Sequence, residues 1–327
     1  MKPSRFAALL VAALLAAPPV CADEAFVTTQ GADALDIVDL STLSVVATLK
    51  IGGKPAGVAV SRDGARAFVT SPEGKFLTVI DARTRRIARR IPVDGGPLGV
   101  ATSPDGDRVY VADLYGKRLV EIDPASGATL RSVGVGAMAS GVAVTPDGKT
   151  ILVADRDDNA VSIIDAASFQ RVATVPVGRH PFGIAVDADG ARAYTADVES
   201  DSVSVIDIPA RRVVATLKTG NRPYTVAHAA GRIFVANQHA DSVSVFDALR
   251  LAPVGEVTVG EYPEGIAATR DGAKVLVACW FSNELWAIDP ASLKIAGRAA
   301  TGDGPRAFGL FVAPGGPSAT AGPRVPD

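Results

Sequence analysis

Residues that usually carry chemistry are scarce in this chain. Cysteine occurs twice in 327 residues, at Cys21 and Cys279, and histidine three times, at His180, His228 and His239. Two cysteines make no disulfide framework, and three histidines far apart in sequence give no metal-ligand spacing. The Gly-x-Ser-x-Gly elbow, the Cys-x-x-Cys-His haem attachment and the His-Glu-x-x-His zinc motif are all missing, which removes the usual support for those chemistries. Neither sign of charge dominates: 33 basic residues stand against 35 acidic ones, so there is no basic stripe to capture nucleic acid or an anionic membrane. The N-terminal apolar run, Phe6 to Ala17, has 12 residues and is too short to span a bilayer, so no transmembrane segment is expected. With 48% hydrophobic and 21% charged residues, the composition is that of a folded globular chain.

The first 22 residues have the order of a secretory signal: basic Lys2 and Arg5, the apolar run, then Val20 and Ala22 at the small-residue positions before a cut. Cleavage after Ala22 and residence in the periplasm are expected. A lipidated Cys21 is the competing reading, disfavoured by the bulky Val20 before it. Cleavage leaves Cys279 as the one thiol, so no internal disulfide forms. Removing Lys2 and Arg5 leaves 31 basic residues against 35 acidic ones, a formal charge of −4.

What the chain has is repetition. The tetrad Phe26-Val-Thr-Thr returns at Phe68, Tyr110, Leu152, Tyr194, Phe234 and Leu276, in steps of 42, 42, 42, 42, 40 and 42 residues. An apolar residue followed by aspartate recurs with the same steps, at Asp39, Asp81, Asp123, Asp165, Asp207, Asp247 and Asp289. Within one unit, Ala56 to Val93, four short apolar stretches alternate with turn signals, among them Asp63-Gly64, where glycine tolerates the positive φ of a tight hairpin. Four strands per unit at this period, without helical patterning, predict an all-β propeller of seven blades with four antiparallel strands each.

The tetrads, the Asp-Gly turns, the Val203-Ser-Val-Ile-Asp strand and the Gly-x-x-Pro segments resemble those of the YVTN-repeat (YncE-like) family of exported seven-bladed propellers. The resemblance covers residues 25 to 314. It specifies the fold and leaves function open, since propellers host enzymes, binders and scaffolds. Residues 25 to 50 supply only three strands of a blade, and Phe308 to Ala313 reads as the missing inner strand, so the ring is expected to close by joining the two ends. The domain plan is therefore a signal over 1–22, a propeller over 23–314 and a disordered tail over 315–327.

Gly148-Lys149-Thr150 ends like a phosphate loop but is one of the Asp-Gly turns and lacks the first glycine. Cys279 reads as a small buried thiol. Asp113, Asp155 and Asp197, at the fourth tetrad position, read as caps of their own turns rather than a carboxylate ring for a metal. No metal or other cofactor is expected.

Positions equivalent by the period share a scaffold, so departures from the pattern point to ligands. Before the proline position stand Lys54, Gly96, Met138, His180, Arg222, Tyr262 and Gly304; after it stand Ala56, Leu98, Ser140, Phe182, Tyr224, Glu264 and Arg306. The large polar and aromatic members gather on the fifth, sixth, seventh and first blades, joined by Trp280 and Phe281 from a turn on the same face. His180, Phe182, Arg222, Tyr224, Tyr262, Glu264, Trp280, Phe281 and Arg306 are thus expected to form a binding site at the channel mouth, since Trp, Tyr and Arg dominate binding hot spots.

The favoured function is a monomeric, non-catalytic binding or scaffold propeller for a small ligand or an exported partner protein; the resemblance implies a redox enzyme as one such partner. A lactonase- or lyase-like enzyme with His180 and Glu264 as acid and base is the second reading, although no family motif transfers catalytic residues here. The third is a carrier of a tetrapyrrole ligated by His180, which resembles the haem d1 propellers, although those have eight blades.

Overall fold

A computed structural model describes residues 23–315, so the expected signal, Cys21 and most of the expected tail lie outside the described residues. Seven sheets of four antiparallel strands are arranged as propeller blades. The second blade shows the pattern: inner strand Val58–Val60, then Arg66–Ser71, Phe76–Asp81 and the outer strand Arg86–Pro92. The inner six blades' worth of chain runs in sequence order, and the first blade is built from Glu24–Thr29, Ala34–Asp39 and Ser44–Lys50 with Val312–Ala313 as its inner strand.

The repeat is legible in the packing. Every first tetrad residue is buried between sheets, with Phe26, Phe68 and Phe234 fully enclosed; each ring contributes about 2–3 kcal/mol by leaving water. Outer strands alternate weakly and are exposed. At the Asp-Gly turns, Gly64 adopts φ +68° and Asp63 accepts bonds from Ser61 Oγ (2.6 Å) and the Ala65 amide (3.0 Å). Gly148 has the same conformation, φ +73°, and Gly148-Lys149-Thr150 is a hairpin turn.

The two chain ends join as expected, with an irregularity. Ala313 and Val312 pair with Glu24 and Ala25, and the Phe26 amide donates to the Phe311 carbonyl at 2.8 Å. Before that, the segment leaves the first blade at Gly309 (φ +117°) and lies parallel to the second blade's inner strand, where the amides of Val58 and Val60 donate to the carbonyls of Phe308 and Leu310. The closing segment therefore bonds to two blades at once. Among the described residues no helix is long and apolar enough to cross a membrane.

Candidate functional site

Each blade begins with the Gly-x-x-Pro loop and runs inward along the channel, which places the loop on one face of the ring. Lys54, His180, Arg222, Tyr262 and Gly304 adopt a left-handed backbone there, with φ between 52° and 63°. Their amides are held by the side chain of the preceding blade's turn: Asn159 Oδ1 takes the His180 amide, Asp201 that of Arg222, Asp241 that of Tyr262 and Asn283 that of Gly304, all at 2.8–2.9 Å. These bonds fix neighbouring blades to one another and set where the loop side chains start. At Gly304 a side chain would be crowded, because a Cβ would come within 3.1 Å of the Trp280 indole.

The residues after the proline position turn inward and fill the mouth. Phe182 stacks on Tyr224 with centroids 4.1 Å apart, and Phe308 leans on Phe182 at 5.2 Å. Ala56, Leu98 and Val198 complete this apolar plug. Its polar edge is Arg306, whose Nη2 donates to the Tyr224 hydroxyl at 2.5 Å and whose Nε lies 3.1 Å from Glu264 Oε2. Glu264, 5% exposed, also accepts from Gln238 Nε2 at 2.8 Å, while Arg306 Nη1 donates to Gln30 Oε1 at 3.2 Å. Burial pushes the Glu264 carboxyl above the usual range, with Arg306 opposing it; burial would lower Arg306, but Tyr224 and Glu264 raise it overall. Burial likewise raises the Tyr224 phenol. The two groups approach as a salt bridge embedded in the plug, with Arg306 Nε and Glu264 Oε2 facing each other outside hydrogen-bond geometry.

Above this floor the loop residues form a rim. Tyr262 packs on Phe281 at 4.8 Å and on His239 at 5.4 Å. The Trp280 amide donates to the Tyr262 carbonyl and the Phe281 amide to the Glu261 carbonyl, so turn and loop of the seventh blade are tied together. Phe281 is 62% exposed. Arg306 sits 6.0 Å over the Trp280 ring. Arg222 is half-buried, and its Nε finds no partner among the described residues.

The expected set therefore divides in two. Phe182, Tyr224, Glu264 and Arg306 are a buried floor, whereas Tyr262, Trp280, Phe281 and Arg222 belong to the rim. His180 stands apart, with Nδ1 3.2 Å from Glu199 Oε1, both side chains over a third exposed. His180 and Glu264 each have their own partners, Glu199 for the first and Arg306 with Gln238 for the second. Gln30, Gln238, Leu114 and Val198 escaped the sequence reading although they share one repeat position with Trp280, directly after the tetrad. The same comparison of equivalent positions would have found them.

At the fourth tetrad position, Asp113 caps its own turn through the Tyr115 and Gly116 amides. Asp155 and Asp197 do not; they accept from Ser162 and Ser204 on the third strand, both at 2.6 Å, beneath glycines too close for any side chain. The described residues hold no group of three or more His, Cys, Asp or Glu placed for a metal. Cys279 is fully buried, and burial pushes its thiol up to about 12.

A family model described as YNCE-like beta-propeller matches residues 21–104 and 104–232. The chain belongs to that family. Among solved structures it is similar to a chain of hydrazine synthase from Kuenenia stuttgartiensis, with a TM-score of 0.70 and 21% identity over 77% of this chain and 88% of that one. It is also similar to a functionally unknown protein from Desulfotomaculum acetoxidans DSM 771, with a TM-score of 0.75 and 18% identity over 88% and 99% of the two chains. At these identities the likeness is one of fold. No curated protein matches.

Proposed function

We propose that this YNCE-like propeller is an exported, non-catalytic binding module that docks a partner protein on the face carrying Tyr262, Trp280 and Phe281. The observation that carries the reading is Phe281, an aromatic ring 62% exposed to water and braced by Tyr262 above the Arg306–Glu264–Tyr224 floor. A large apolar side chain left in solvent on a rigid support is the arrangement of an interface hot spot. Because the residues after the prolines fill the mouth, this face suits the protruding loop of a protein better than a small molecule needing a deep pocket. Export rests on the basic, apolar and small-residue order of residues 1–22.

The test is capture from the exported fraction of the native host, with the full chain as bait and Phe281→Ser as its matched control. A protein retained by the wild type and lost from the variant supports the reading. Equal retention by both rejects it.

A further inference from the structure

The channel is stopped at the loop face but hollow beyond it. A cavity of about 400 Å³ runs from Phe308, under the stacked Phe182 and Tyr224, towards the Asp-Gly-turn face. That size falls in the range of small-molecule sites. Its wall includes one residue per blade at the same repeat position: Val60, Thr102, Val144, Val186, His228, Ala268 and Leu310. Six of the seven carry no ionisable group, and His228 is the exception. Its ring stacks on Tyr194 with centroids 6.0 Å apart and planes 7° from parallel, so the imidazole is held in place rather than free to leave the wall. Leu310 is 70% exposed within this lining, an apolar surface open to an occupant.

Two residues further along in six of the seven blades, at or just past the ends of the inner strands, the cavity is lined by Arg62, Pro104, Pro146, Ala188, Arg270 and Val312. Both arginines are exposed and flank the first blade, Arg62 from the second and Arg270 from the seventh. The Arg270 guanidinium donates to the Arg62 carbonyl, which draws the two together. The carboxyl that lines the same cavity, Asp187, is occupied by the Arg192 amide at 3.0 Å and neighbours Asp189. Cationic donors therefore concentrate on one side of the opening, beside the second and seventh blades.

We infer that the channel is a second binding site, on the face opposite the partner surface, for a small organic acid with an apolar body: its carboxylate is taken by Arg62 and Arg270, its body lies along Leu310 and the channel wall, and His228 supplies the one ionisable group of its repeat position. Guanidinium pairs favour carboxylates through charge-assisted, bidentate bonds, and the wall favours hydrocarbon through burial. The site is independent of the partner surface, since Phe308 and the plug separate them.

Calorimetric titration of the full chain with decanoate, 1-decanol and decyltrimethylammonium tests this. Decanoate should bind at least about tenfold more tightly than either analogue. The double variant Arg62→Ala/Arg270→Ala should bring decanoate down to the level of decanol, Leu310→Asp should weaken all three, and His228→Val, which installs the residue of the fifth blade, should weaken decanoate about fivefold. Phe281→Ser, on the other face, should leave every affinity unchanged. Equal affinity for the three probes, or no heat with any of them, overturns the site. Loss of decanoate binding in Phe281→Ser moves it to the other face, and an unchanged His228→Val removes the imidazole from it. Unaltered melting temperatures in the variants separate these outcomes from unfolding.

Discussion

Arg306 Nη2 donates a 2.5 Å hydrogen bond to the Tyr224 hydroxyl, and so binds the closing segment of the chain to the sixth blade across the channel mouth. Ring closure and the floor of the candidate site are therefore one structure. Removing this guanidinium leaves Glu264 buried without its cation. Arg306→Met should cost about 3 kcal/mol in urea unfolding, as expected when one partner of a buried pair is lost. Adding Glu264→Gln to it should restore most of the loss. A double variant no more stable than the single would show that the pair is not what holds the mouth.

Closure itself is tested by truncation. Ending the chain after Gly304 removes the fully buried Phe311 and unpairs Glu24 and Ala25, exposing strand edges in two blades. Ending it after Gly316 removes none of those contacts. The first truncation should aggregate or melt far lower, the second should match the full chain, and equal melting temperatures would refute closure.

Much of this was readable from residue order alone. The 42-residue steps of the tetrads and the apolar-Asp pairs predict seven blades because each unit must bury the same face against its neighbour. The three-stranded start and the Phe308–Ala313 segment predict closure, since an unpaired inner edge would otherwise remain. What periodicity does not carry is the depth of each side chain. Phe182, Tyr224, Glu264 and Arg306 depart from the pattern as clearly as Tyr262 and Arg222 do, yet they turn inward and the others outward, because the residues flanking one proline differ in backbone conformation. Nor does the period announce that Gly309 carries the closing segment over to the second blade. His228 is the one ionisable residue at its repeat position, so it departs from the period as plainly as His180 does in the loops.

The carboxyls of Asp155 and Asp197 give the fold a pH dependence. An aspartate ordinarily titrates near 3.8, whereas burial pushes Asp155 up to about 6 and Asp197 up to about 7. Between pH 4 and 7 the folded chain keeps protons that the unfolded chain has released, so their stabilising contribution is complete below about pH 4 and is lost as pH rises through 6 and 7. The sixth blade shows the remedy, with Asn237 Nδ2 donating to Ser244 Oγ at 2.8 Å in the equivalent place. Asp197→Asn should raise stability at pH 8 by roughly 1–3 kcal/mol and flatten the fall between pH 4 and 7. A variant less stable at pH 8, with the original slope, would contradict this.

Export has a simple readout. Intact-mass measurement of protein recovered from the periplasm should give a chain beginning at Asp23, whereas a retained leader or a lipid-bearing Cys21 would overturn the expected cut.

The account rests most heavily on the partner face. Once a partner has been captured, its affinity should be measured against the wild type, Phe281→Ala, Tyr262→Ala, Lys54→Ala and Arg62→Ala, with melting curves for each. Phe281→Ala and Tyr262→Ala are expected to weaken binding by about 2 kcal/mol or more while stability stays within about 1 kcal/mol, and Lys54→Ala and Arg62→Ala to bind normally. Normal binding by the two aromatic variants, with binding abolished at Lys54 or Arg62, would place the partner elsewhere on the ring and contradict the function proposed for this propeller.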